Sequence, residues 1–132
     1  MSLQLLQRLS QHLDDADLLS GYEVRYYRWS DQDLNGSGQI ILFRMPGTSG
    51  DGAHVIQRPD IEITILCDPD KVTEGDERML AILQYLRENF NVDNQFGRMF
   101  SLWPVGPYSG PTYLQNNRAL FALVVRAVTE DH

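Results

Sequence analysis

Between Pro59 and Cys67 the chain reads P-D-I-E-I-T-I-L-C, with isoleucine at every second position: Ile61, Ile63 and Ile65. Successive side chains of an extended chain point to opposite faces. Period two therefore places these isoleucines and Cys67 on one face, and Glu62, Thr64 and Leu66 on the other. A helix would scatter the same residues around its circumference. The segment is a strand with one face committed to a core, and a slip of one residue would turn that whole face outward. The rest of the chain has to supply what covers it.

Two segments of helical period can do so. Leu3, Leu6, Leu9 and Leu13, with Leu5 beside them, predict a short amphipathic helix ending near Asp14. Met79, Leu83, Leu86 and Phe90 predict a second, with Thr73 as its cap and Glu74, Asp76 and Glu77 at the end where the helix dipole favours anions. Asn89 or Asn91 closes it. Strands are predicted for "YEVRYYRW", "QIILFRM", "HVIQRPDIEITILC", "RMFSLWPV" and "NRALFALVVRAV". "SDQDLNGSG" breaks the first from the second, "PGTSGDGA" is a flexible loop, and "GPYSGPTYLQN" is a turn-rich connection. Pro59 marks a bend or an unpaired edge in its strand. The order α-β-β-β-α-β-β predicts one α+β domain over residues 1–132, a mostly antiparallel, mixed sheet of about five strands with two helices packed on it.

Composition narrows the partners. With 11 basic against 18 acidic residues the net charge is −7, which disfavours tight binding to phosphate backbones or anionic membranes. No apolar run approaches the ~20 residues of a spanning helix, and the N-terminus lacks a signal-peptide pattern. A single cysteine excludes an internal disulfide and any multi-cysteine zinc site, and fits synthesis in a reducing cytoplasm.

The chemistry-bearing residues do not assemble into a catalytic signature. Cys67 continues the isoleucine row and reads as a small buried residue, with none of His12, His54 or His132 placed as an activating base. Asp68 and Asp70 flank Pro69 in a strand-to-helix turn, where aspartate bonds locally. The glycines of "GTSGDGAH" have the interval of a phosphate-binding loop, but Ala53 and His54 stand in place of its lysine and hydroxyl residue. No histidine pair has metal-ligand spacing. Glu74 with Glu77, and Asp14 with Asp15, are explained by helix-start and turn chemistry. Trp29 and Trp103 read as packing residues in so acidic a chain. No catalytic residue, cofactor or metal is expected.

The order of elements resembles a known family. The N-terminal helix, the strand "YEVRYYRW", the hairpin "IILFRMPGTSGDGAHVIQRPDIEITI", the helix "EGDERMLAILQYLRENF" and the closing strands follow the pattern of the tail terminator proteins of long-tailed bacteriophages and prophages, also called minor capsid or tail completion proteins. Pro59 to Ile65, Trp103 to Pro107 and Arg118 to Val128 carry the likeness. The turn Asp68-Pro69-Asp70 departs from it, since related chains often carry a glycine or a basic residue there.

The resemblance implies a non-enzymatic virion protein of the tail and neck, assembled in the host bacterial cytoplasm. It implies a ring, usually a hexamer, that stops tail-tube polymerisation and presents a surface to the head connector. Its partners would be further copies of itself, the tail-tube protein and the head-tail connector, with no sequence-specific nucleic acid and no membrane. Two residue sets fit such a role. Leu120 and Val124 lie on a second apolar face of the last strand, which a neighbouring subunit can cover. Arg44, Asp51, His54 and Arg58 surround the loop of the hairpin and are candidates for contact with the tube. Another neck or head completion protein, or a small α+β enzyme or ligand-binding domain, stays open at this point.

Overall fold

A computed structural model of the chain describes residues 2–45, 56–57, 59–99 and 101–130. The isoleucine-rich strand, β4 (Asp60–Cys67), lies at the centre of the sheet, antiparallel to β2 (Ile40–Arg44) on one side and to β9 (Ala119–Glu130) on the other. β1 (Glu23–Tyr26) runs parallel to β2 and makes the sheet mixed. Before Pro59, β3 (Ile56–Gln57) pairs with the far end of β9 in the register of β4, and Pro59 O accepts from the Ala127 N–H, so the pairing with β9 runs past the proline without a register shift. On the other side of β9, β8 (Ser109–Tyr113) and β7 (Ser101–Pro104) pair with successive parts of that strand. Five ranks of strand thus lie across the sheet, in the α+β architecture expected. β5 (Val92–Asn94) and β6 (Gly97–Met99) form a separate hairpin.

Ile61, Ile63, Ile65 and Cys67 are buried together with Ile41 and Phe43 of β2 and Phe121, Leu123 and Val125 of β9. Onto this face pack α1 (Ser2–Asp15), through Leu6, Leu9 and Leu13, and α3 (Val72–Glu88), through Met79, Ile82, Leu83 and Leu86. Each such side chain contributes about 1.5–3 kcal/mol when taken from water. α3 comes close to the sheet because Gly75 faces β4. A Cβ at Gly75 would stand 2.8 Å from Cys67 Sγ and 3.2 Å from a Phe121 ring carbon.

Several expectations are corrected. "SDQDLNGSG" contains a third helix, α2 (Asp31–Asn35): Ser30 Oγ accepts from the Asp33 N–H at 3.0 Å while the Asp33 carboxylate accepts from the Ser30 N–H at 2.9 Å. That reciprocal box satisfies two donors of the first turn and lets a single turn persist. The first strand stops at Tyr26, because Tyr27 adopts φ 75° and Arg28 N–H turns back to Tyr26 O. "RMFSLWPV" is divided between β6 and β7, and the turn-rich connection contains β8. Thr73 does not cap α3. A 3-10 turn over Pro69–Lys71 leads in, and the helix starts one residue before Thr73 with no side-chain cap. Phe90 lies past the helix end and is half exposed, so Ile82 takes its part in the apolar stripe. Asn89 does close the helix, with both its backbone and side-chain N–H groups bonded to Tyr85 O.

Gly75→Ala should lower stability. The gain in helix propensity, up to about 1 kcal/mol, is smaller than the overpacking cost of about 1–3 kcal/mol. Urea unfolding should show a lower midpoint for Gly75→Ala and a smaller loss in a Cys67→Ala background. Equal losses in the two backgrounds would exclude the sulfur contact as the cause.

Candidate functional site

The second face of the sheet carries the even-numbered positions of β4 and β9, and its two ends differ. At one end Ile40, Leu42 and Leu66 are buried although they lie outside the main core. Three ties draw the α2 segment across this end. Arg25 Nε donates to both Asp33 oxygens, Asn116 Nδ2 donates to Leu34 O at 2.9 Å, and Arg118 reaches the carbonyls that follow α2. Arg118 is only 2% exposed. Its Nη1 donates to Gly36 O at 2.7 Å and to Asp68 Oδ1 at 2.8 Å, and its Nη2 donates to Gly38 O at 2.9 Å. Asp68 also accepts from the Gly38 N–H. This is why Asp68 cannot cap the turn that follows it.

At the other end nothing among the described residues covers the sheet. Registered neighbours Arg44, Glu62 and Val124 form one row, and Asp60, Arg126 and Trp103 form the next. Arg44 Nε is hydrogen-bonded to Glu62, and Arg126 grips both oxygens of Asp60 at 2.8 and 3.2 Å. Trp103 is 38% exposed and Val105, whose N–H bonds to Val124 O, is 42% exposed. Between the two ends lies a shallow groove of about 240 Å³, lined among others by Trp29, Arg44, Glu62, Thr64, Leu120 and Ala122. An open surface of aromatic, valine and paired arginine side chains suits contact with another protein surface better than enclosure of a small molecule.

The structure brings three of the candidate residues together. Arg44 and Leu120 line the groove, and Val124 joins Arg44 through Glu62. Asp51, His54 and Arg58 lie outside the described residues, as does the glycine-rich loop. Sequence reasoning missed Trp103, Asp60 and Arg126. A lone arginine in an apolar strand was the signal used for Arg44, and Arg126 offers the same signal in β9. The acidic residues around β4 are more than solvated decoration, since Asp60, Glu62 and Asp68 each hold an arginine.

Cys67 is buried, and its Sγ donates weakly to Ala119 O at 3.5 Å. Burial pushes its thiol up from 9.0 to about 11, and Arg118 offsets part of that. A nucleophilic thiol needs the opposite shift. No cluster of three or more His, Cys, Asp or Glu with metal-binding geometry occurs among the described residues, and none of their helices is long and apolar enough to cross a membrane.

Comparison with known proteins now bears on this surface. The profile of a family described as phage tail termination protein matches residues 2–131. The chain belongs to that family. It is therefore a structural protein of the phage tail, and the face just described is one that a tail protein can offer to others. A chain from the virion of a native gene transfer agent (GTA) particle shares the fold, with a TM-score of 0.56 at 17% identity over 98% of this chain and 96% of that one. No curated protein matches the sequence.

Two predictions follow from the buried groups. Arg118→Met should cost about 3 kcal/mol, because it strands Asp68 and two carbonyls, and adding Asp68→Ala should recover part of it. Equal stability of single and double variants in urea would contradict the pairing. At alkaline pH, Cys67 and Tyr22, the latter pushed up by burial from 10.0 to about 12, both ionise earlier in the unfolded chain than in the folded one. The contribution of Cys67 is complete below about pH 9 and is lost between about pH 9 and 11, and that of Tyr22 is complete below about pH 10 and is lost between about pH 10 and 12, each at about 1.4 kcal/mol per pH unit within its window. Cys67→Ala should remove the part of the decline between about pH 9 and pH 10.

Proposed function

We propose that copies of this chain close a ring on the last ring of tail-tube protein, stop its polymerisation and offer the other surface to the head connector. The single observation that carries this reading is the family match, which spans almost the whole chain. Six copies is the number that the family resemblance implies. A ring needs a head-to-tail contact whose rotation divides the circle. Leu120, in the groove, and Val124, at the open end of the sheet, face a neighbouring subunit in this reading. Arg44, at the end of β2 where the chain enters the hairpin loop, contacts the tube together with Asp51, His54 and Arg58. The charge of −7 keeps the subunit from gripping DNA that passes through the opening. The work is one of shape and contact, with no covalent step and no cofactor, carried out in the host bacterial cytoplasm.

Removal of the gene from its phage should give overlong tails that fail to join heads, visible by electron microscopy, and the intact gene supplied in trans should restore both. Tails of normal length joined to heads without the protein would overturn the reading. Combined Arg44→Glu and Arg58→Glu should reproduce the defect with the fold intact by circular dichroism.

A further inference from the structure

We propose that the open end of the sheet on one copy receives the outer side of α3 from the next copy, and this rests on the ring reading above. α3 lies on the buried face of the sheet, so its outer side and the open sheet face look in opposite directions from one subunit. Two surfaces placed back to back are what a repeated head-to-tail contact needs.

The surfaces also match in charge and shape. Along the outer side of α3, Glu77, Leu80, Gln84 and Glu88 follow at spacings of three, four and four, with Asp76 and Arg87 on the same side and the buried Met79, Ile82 and Leu86 opposite, so the face is acidic in net charge with one arginine in its last turn. Leu80 is 42% exposed, and no described cation lies within ion-pair distance of Glu77 or Glu88. The open sheet face is different, because Asp60 is held by Arg126 and Glu62 by Arg44. An acidic helix can approach there without meeting an uncompensated carboxylate, and the Arg126 guanidinium, on the strand beside Trp103, offers it charge-assisted hydrogen bonds. Trp103, Val105 and Val124 give Leu80 an apolar strip on β9 and β7 beside Arg126, with the aromatic anchor and charged rim typical of protein contacts.

The test uses a photo-reactive benzoylphenylalanine at position 103 or 80 of the full chain, in phage that lack the natural copy. Tails are irradiated and the cross-linked peptides are mapped, with mixed isotope labels to mark links between copies. Position 103 should link to residues 72–88 of another copy, and position 80 to β7 or β9 of another copy. Several copies per tail with links elsewhere, or with none, would overturn this contact and leave the ring reading standing. A single copy per tail would overturn the ring reading itself. Leu80→Asp, at an exposed position, should keep its unfolding transition and lose most of its retention on tails; full retention would overturn the contact.

Discussion

The guanidinium of Arg118 holds together three parts of the chain that are distant in sequence. It sits at the entry to β9 and binds the segment that leads from α2 to β2, and the exit of β4. A buried arginine is costly unless its charge and donors are matched; here Asp68 supplies the charge and two carbonyls accept from Nη1 and Nη2, while the buried Nε has no partner among the described residues. The arrangement decides which part of the second sheet face is closed. Where Arg118 draws α2 down, Leu42 and Leu66 are as buried as the main core. One strand-length away no described residue provides such a cover.

β9 turns this local fixture into an architecture. Twelve residues long, it pairs with β4 and β3 on one side and with β8 and β7 on the other. Its odd positions, Phe121, Leu123 and Val125, complete the core under α1 and α3. Its even positions run from the covered end at Leu120 to the open end at Val124 and Arg126. The same strand therefore stabilises the subunit and presents its outward surface. A change there that seems aimed at assembly will also be felt in folding.

Much of this was legible in the residues. Strict alternation in β4, the leucines of α1 and the apolar stripe of α3 are signals of the chain with itself at short range, and they place the core face correctly. The second apolar face of β9 was legible too, because six consecutive apolar residues cannot all point one way. What failed depended on contacts between distant segments. Ser30 and Asp33 form a capping box inside a stretch that composition marks as turn, and β8 is a strand only because β9 offers it a partner. Asp68 looked like a turn residue until Arg118, fifty positions later, was seen to claim it. Of the proposed partner residues, Arg44, Leu120 and Val124 converge on one face, and those nearer the hairpin loop lie outside the described residues.

Pro104 closes β7 and Pro111 lies within β8, the two strands that form the outer rank of the sheet beside β9. Neither residue has an N–H to donate, so this border is a poor template for a further strand. Trp103 and Val105, exposed on the outer rank, are the kind of apolar surface that sheets can use to aggregate. Blunting the border slows the zippering of sheet edges into aggregates.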